Sequence, residues 1–277
     1  MYLEFYGLRE KPFNVTPDPA FLFLSGKHKT AFDYLIYGIT QRKGFLEITG
    51  EVGSGKTTLC RALLNHFENS IPPVKTAYIL NPALSGVQLL RSVIEEFGLV
   101  PTKRDKVALL YQLNNFLLEQ LSMNYNAVLI IDEAQNLKPS HLEEIRMLSN
   151  LETDKEKLFQ IVLVGQPELR EKLRSPNLSQ LRQRITVRLH LLPLESREVK
   201  TYIDHRLSVA GANNSIIFYD DSVDEIYDYS KGIPRVINTV CDKALLLGYI
   251  LETKNISLDI IKRSINEIED NLYEYNH

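Results

Sequence analysis

The run Gly50-Glu51-Val52-Gly53-Ser54-Gly55-Lys56-Thr57 has the residue types and spacing to hold a phosphate chain. Its glycines let successive backbone N–H groups converge on an anion without side-chain clash. Lys56 brings a compact positive charge for the β- and γ-phosphates, and the Thr57 hydroxyl is a ligand of suitable hardness for Mg²⁺. Thr58 leads into Leu59-Cys60-Arg61-Ala62-Leu63-Leu64, which reads as a helix whose N-terminal dipole favours the same anion. The apolar run Phe45-Leu46-Glu47-Ile48-Thr49 in front reads as a strand, so strand, glycine-rich loop and helix follow in the order a phosphate-binding loop requires.

A second group of residues could act on what that loop holds. Ala127-Val128-Leu129-Ile130-Ile131 is a buried strand in pattern, and Asp132 and Glu133 emerge at its C-terminal end. Asp132 there can hold Mg²⁺ through water, and Glu133 can polarise an attacking water molecule. Gln166 ends the apolar run Ile161-Val162-Leu163-Val164-Gly165. Its side chain either touches the γ-phosphate or the water, or simply opens the turn at Pro167. Arg182 and Arg184 precede a β-like run, Thr186-Val187-Arg188-Leu189, and either could reach a neighbouring subunit's γ-phosphate. Arg235 follows Gly232-Ile233-Pro234 at a helix start, where proline is sterically well placed. From there it would project toward a cleft and sense the γ-phosphate.

These side chains need a scaffold that brings loop and strand ends together, and the remaining periodicity supplies one. Residues 27–42 carry Ala31, Phe32, Leu35, Ile36 and Ile39 at helical spacing. A strand over 76–80, helices over 85–97 and 105–122, and the continuous apolar runs at 127–131 and 159–164 follow. Such runs suit parallel strands buried on both faces, and the alternation with helices predicts a doubly wound α/β sheet. Beyond Pro193 no strand is convincing. Helical stretches at about 196–210, 220–230, 234–251 and 257–270 predict a small all-helical domain. Residues 1–26, with Pro12, Pro17 and Pro19 but also Phe5, Phe13, Phe21 and Phe23, read as an irregular segment wrapped against the body. The expected organisation is thus 1–26 as a wrapping segment, 27–194 as an α/β nucleotide-binding domain and 195–277 as a helical domain.

Composition sets outer limits. The 277 residues carry 32 Lys and Arg against 35 Asp and Glu, a net charge of −3, so no global field draws the chain to nucleic acid or anionic lipid. The two cysteines, Cys60 and Cys241, allow no disulfide framework and read as small buried residues of a reducing compartment. No stretch reaches the length of a membrane span, the longest apolar one being 244–251, and Met1-Tyr2-Leu3-Glu4-Phe5-Tyr6 lacks the features of a signal peptide. The expected location is the cytoplasm.

The motifs in this order resemble the AAA+ ATPases. The resemblance equates Gly50–Thr57 with Walker A, Asp132 and Glu133 with Walker B, and Gln166 with sensor 1. It equates Arg182 or Arg184 with the arginine finger, Arg235 with sensor 2, and the C-terminal helices with the lid. Closer still, Met1–Leu8, Lys11–Pro19, Phe21–Ser25, Ile131–Leu137 and Gly165–Leu169 are similar to the ExeA/GspA secretion ATPases, over essentially the whole chain. The resemblance implies a P-loop NTPase with an AAA+ core and helical lid, using ATP/ADP and Mg²⁺. It implies an ATP-dependent homo-oligomer, ring or filament, serving bacterial envelope secretion or pilus assembly at the inner face of the membrane through a partner. Members of that family continue into a membrane helix and a peptidoglycan-binding region that are not visible here, which suggests a shorter cytosolic relative or a fragment. A DNA-associated ATPase of the TniB or MuB type is the alternative. It would need a basic face, for which Lys103-Arg104, Lys155 with Lys157, and Arg170-Lys172-Arg174 are candidates.

Overall fold

A computed structural model describes residues 2–68, 70–80, 82, 86–103, 105–152, 156–213 and 216–274. Its contacts divide the chain into two units, one of Lys27–Val52 with Leu59–Leu191, the other of Met1–Gly26, Gly53–Thr58 and Leu192–His277.

The first unit is built on a parallel sheet. In chain order its elements are α2 (Gly26–Thr40, after α1 at Tyr2–Tyr6 in the other unit), β1 (Phe45–Gly50), α3 (Lys56–Glu68), β2 (Val74–Ile79), α4 (Gly86–Glu96), α5 (Lys106–Ser122) and β3 (Asn126–Ile131). Then come α6 (Pro139–Leu148), β4 (Gln160–Gly165), α7 (Pro167–Leu173), α8 (Ser179–Arg184) and β5 (Ile185–Leu191). The strands lie in the order β2-β3-β4-β1-β5, every pairing parallel. β1, β3 and β4 are buried at every residue, whereas the edge strands β2 and β5 are only partly covered. This is why β3 and β4 are continuous apolar runs after Asn126 and Gln160 at their starts, while the edges tolerate Lys75, Thr186 and Arg188.

Because the strands are parallel, the segments after Gly50, Ile131 and Gly165 all leave the sheet at one edge. β1 sits between β4 and β5 although the chain departs from it to the far strand β2. Ligands of open parallel sheets collect at the carboxyl ends beside such a reversal of strand order.

The opposite end of the sheet is tied by a buried polar network. Gln160 Oε1 accepts the Gly44 N–H at 2.6 Å, and its Nε2 donates to Asn126 Oδ1 at 3.3 Å. Asn126 Nδ2 donates to the Ile39 carbonyl at 2.6 Å. The network fixes the end of α2 and the starts of β1, β3 and β4 with hydrogen bonds that water cannot replace.

The second unit holds α9 (Ser196–Val209), α10 (Asp220–Ser230), α11 (Pro234–Ile250) and α12 (Leu258–Glu274). Two findings depart from the sequence reading. The N-terminal segment is not wholly irregular: α1 opens it, and a 3-10 turn covers Pro19–Phe21. A two-residue parallel pair, β6 (Ile217–Phe218) with β7 (Asn255–Ile256), lies among the helices. It is too short to carry an alternating pattern, so periodicity could not reveal it.

Residues 1–26 share a hydrophobic core with the C-terminal helices. Tyr6, Leu8, Phe13 and Phe21 are buried with Val199, Ile203, Ile237, Val240 and Ile261, while Phe5 and Phe23 pack from the margin. Buried Arg206 secures this wrap. It donates to the carbonyls of Pro12 and Asn14, and its guanidinium lies 4.8 Å from the Phe21 ring centroid.

Candidate nucleotide site

The loop after β1 has the backbone its glycines predict. Gly53 has φ +80° and Gly55 φ +96°, left-handed values that an L side chain adopts only under strain. α3 starts at Lys56, so the loop delivers the chain into a helix N-terminus. Gly50, Ser54 and Lys56 are buried, Glu51 and Val52 are exposed, and Thr57 and Thr58 are half-buried. A tight left-handed turn leading into a helix, with a buried lysine at its first position, fits a phosphate chain.

Within the second unit the same loop meets the start of α11. The Arg235 N–H donates to the Gly53 carbonyl at 3.2 Å, satisfying one of the helix's unpaired N-terminal donors. A Cβ on Gly53 would stand 2.5 Å from Arg235 Cβ and 3.3 Å from Ile233 Cγ2. Glycine is therefore required there for space as well as for φ. The elbow before α11 is equally tight. Gly232 has φ +76°, its carbonyl accepts the Leu194 N–H at 2.9 Å, and a Cβ would stand 2.0 Å from the Leu194 oxygen. The Arg235 side chain is exposed.

At the end of β3, Asp132 is fully buried and both its oxygens accept hydrogen bonds. Tyr78 Oη donates to Oδ2 at 2.7 Å and the Glu133 N–H to Oδ1 at 2.9 Å. Burial, then the Asp132 charge, pushes the Tyr78 phenol well above its ordinary value, which keeps it a donor. Glu133 is left-handed at φ +53°, rare for a residue with a side chain and typical of functional turns. Its Oε2 accepts from two amides, Gln135 Nε2 at 2.5 Å and Gln166 Nε2 at 3.2 Å. The Gln166 N–H in turn donates to Gln135 Oε1 at 3.1 Å. Gln166 occupies the position before α7 without capping it. Its side chain reaches Glu133, the candidate for activating water. Neither Tyr78 nor Gln135 was singled out by sequence reasoning. Tyr78 sits in an edge strand where a tyrosine reads as packing, and Gln135 lies in a 3-10 turn without periodicity.

The two candidate arginines differ in what they hold. Arg184 is half-buried and donates from Nη1 to Ser149 Oγ and Asn150 Oδ1, each at 2.6 Å, at the C-terminal end of α6. Arg182 is exposed and donates at 3.2 Å to the Arg174 carbonyl. Of the basic candidates for a DNA face, Arg104 and Lys155 lie outside the described residues. Lys157 pairs with Glu152 at 3.1 Å, and the Lys172 ammonium donates to the carbonyls of Gln135 and Leu137.

Among the described residues, no three His, Cys, Asp or Glu side chains converge as a metal cage, and no helix is long and apolar enough to cross a membrane.

Comparison with known proteins agrees with this fold. The family model AAA_22, described as an AAA domain, matches residues 39–173. The ORC2 protein of Aeropyrum pernix in its ADP form superposes with a TM-score of 0.70 at 18% identity, covering 92% of this chain and 72% of that one. A Thermotoga maritima RuvB mutant superposes at 0.56 and 17% identity, covering 86% and 68%. At these identities the likeness speaks for the fold. Sheet, loop and family model define an AAA-type P-loop protein. General secretion pathway protein A of Aeromonas hydrophila is 45% identical over 250 residues, 90% of this chain and 45% of that protein. Within its class, then, the chain is an ExeA/GspA-like AAA protein, spanning a little under half the length of that curated relative.

Proposed function

We propose that the protein binds ATP with Mg²⁺ and hydrolyses it to ADP and phosphate, and that this activity requires neighbouring subunits. The observation that carries the reading is Glu133: a carboxylate set by a left-handed turn at the end of a buried central strand, on the sheet edge from which the glycine-rich loop departs.

In this reading the N–H groups of residues 50–58 cradle the phosphates and Lys56 draws charge from the β- and γ-phosphates. Thr57 and Asp132 would hold Mg²⁺. When bound, the ion would supply charge neutralisation on the phosphate oxygens. Glu133 takes a proton from the water that attacks the γ-phosphorus, the bond to the β-phosphate oxygen breaks, and ADP leaves with that oxygen. Gln166 orients Glu133, and Arg235 responds to the γ-phosphate. Arg182 is the arginine offered to a neighbour's nucleotide, because Arg184 is committed to the end of α6.

By its relation to general secretion pathway protein A, the cycle would serve an envelope secretion or pilus assembly complex at the cytoplasmic face of the membrane. The test is ATP turnover against protein concentration, with molecular mass followed in ATP and in ADP. Specific activity should rise as an ATP-dependent oligomer forms. Lys56→Ala should lose nucleotide binding. Glu133→Gln should bind ATP and lose about 10²–10⁴-fold in turnover, the range a positioned base contributes. Normal turnover in Glu133→Gln would remove its assignment as the base.

A further inference from the structure

We infer that Gln135 is a positioning residue for the water-activating carboxylate: its carboxamide fastens one oxygen of Glu133 to the end of β4, so that the other oxygen is offered to the attacking water. The inference rests on the hydrolytic reading above and adds to it a residue and a geometric task.

A carboxamide carries a donor and an acceptor in fixed relation, so it can join two groups and set the distance between them. Gln135 uses both ends. Nε2 donates to Glu133 Oε2 at 2.5 Å, and Oε1 accepts the Gln166 N–H at 3.1 Å. Gln166 Nε2 reaches the same oxygen of Glu133 at 3.2 Å. Both amides therefore address Oε2. A glutamate side chain has three rotatable bonds, and pinning one oxygen removes most of that freedom before the reaction begins, which is how positioning lowers a barrier.

The surroundings hold Gln135 itself in place. Lys172 of α7 donates to the Gln135 carbonyl and, at 2.8 Å, to that of Leu137. The 3-10 turn over Ala134–Asn136 follows directly from the left-handed Glu133, bringing residue 135 back toward its carboxylate. Space is left for the carboxamide at Gly165, where a Cβ would stand 2.8 Å from Gln135 Oε1. A side chain there would push the clamp away from β4. Hydrogen bonds, a lysine and a glycine on three segments thus converge on the orientation of one amide.

The experiment compares the full-length wild type with Glu133→Gln, Gln135→Ala and Gln135→Glu, at protein concentrations where the wild type turns over. It follows kcat and KM separately, affinity for a fluorescent ATP analogue, and thermal melting. Gln135→Ala should lose about 10- to 50-fold in kcat, with analogue affinity and melting near wild type. Gln135→Glu keeps the side-chain length but replaces the Nε2 donor with an acceptor, so it should lose at least as much kcat as Gln135→Ala, with analogue affinity again near wild type. A purely structural role for Gln135 would instead lower affinity and melting together with turnover. Wild-type turnover in Gln135→Ala, with Glu133→Gln inert, overturns the positioning role alone. Normal turnover in Glu133→Gln, or a wild type that binds the analogue and never hydrolyses ATP, overturns the hydrolytic reading and the role of Gln135 with it.

Discussion

Glu47 and Asp132 are both buried acids of the sheet, and their environments treat them differently. Asp132 has a phenol and an N–H on its oxygens. Glu47, in the middle of β1, is 3% exposed, with Arg188 Nε at 3.7 Å on the adjacent β5. Burial raises the Glu47 carboxyl above its ordinary value, and Arg188, Arg170 and Arg174 oppose the rise without cancelling it. The folded state therefore holds this proton more tightly than the unfolded chain does. Its contribution is most favourable below the ordinary carboxylate range and declines as pH rises through the raised folded value. Glu47→Gln removes that decline. Its melting temperature, relative to wild type, should improve between about pH 4 and pH 7. A difference that stays constant with pH would contradict the assignment. At this scale the sequence named Glu133, Gln166 and both arginines but could not say what each held. Only the positions of Ser149 and Asn150 separate Arg184 from Arg182.

At the scale of elements, the apolar runs at 127–131 and 159–164 were legible as buried strands because parallel strands covered on both faces leave no polar period. The helices α6, α7 and α8 were not read. They are short, and α6 carries Glu143, Glu144 and Arg146 in an ordinary surface mixture. Also hidden was the purpose of Gln160 at the head of β4, which looks like an interruption of an apolar run and is the hub that joins Gly44 to Asn126. Gln160→Leu keeps the volume and leaves a buried N–H without its acceptor. It should cost about 1–3 kcal/mol in urea unfolding, with little change in the denaturant slope. A loss under about 0.5 kcal/mol would show that the network carries no net stability.

For the whole molecule, the decisive property is whether one subunit completes another's site. Arg182→Ala keeps its own loop and Lys56→Ala keeps its own arginine. Each alone should be nearly inactive, and mixing them should restore part of the turnover, since some neighbouring pairs then combine an intact loop with an intact arginine. The drop for Arg182→Ala alone should approach the roughly 10³-fold lower bound seen for arginine fingers. Arg184→Ala should show no such recovery and should lower the melting temperature, because it frees the end of α6. No recovery in the Arg182→Ala and Lys56→Ala mixture would argue for a site complete within one chain.

The sequence by itself determined the parts whose information is local. The spacing of Gly50, Gly53, Gly55, Lys56 and Thr57 defines a turn into a helix within eight residues, and the run before Asp132 defines its strand. Tertiary structure decided everything that depends on residues far apart in the chain. It packed Tyr6, Phe13 and Phe21 with the C-terminal helices, set Arg235 against Gly53, tied Tyr78 to Asp132, and gathered Gln135, Gln166 and Lys172 around Glu133. Periodicity reports which face of an element is buried. It says nothing of which partner waits there, because that partner is chosen by how the elements pack and by the need of every buried polar group for a hydrogen bond.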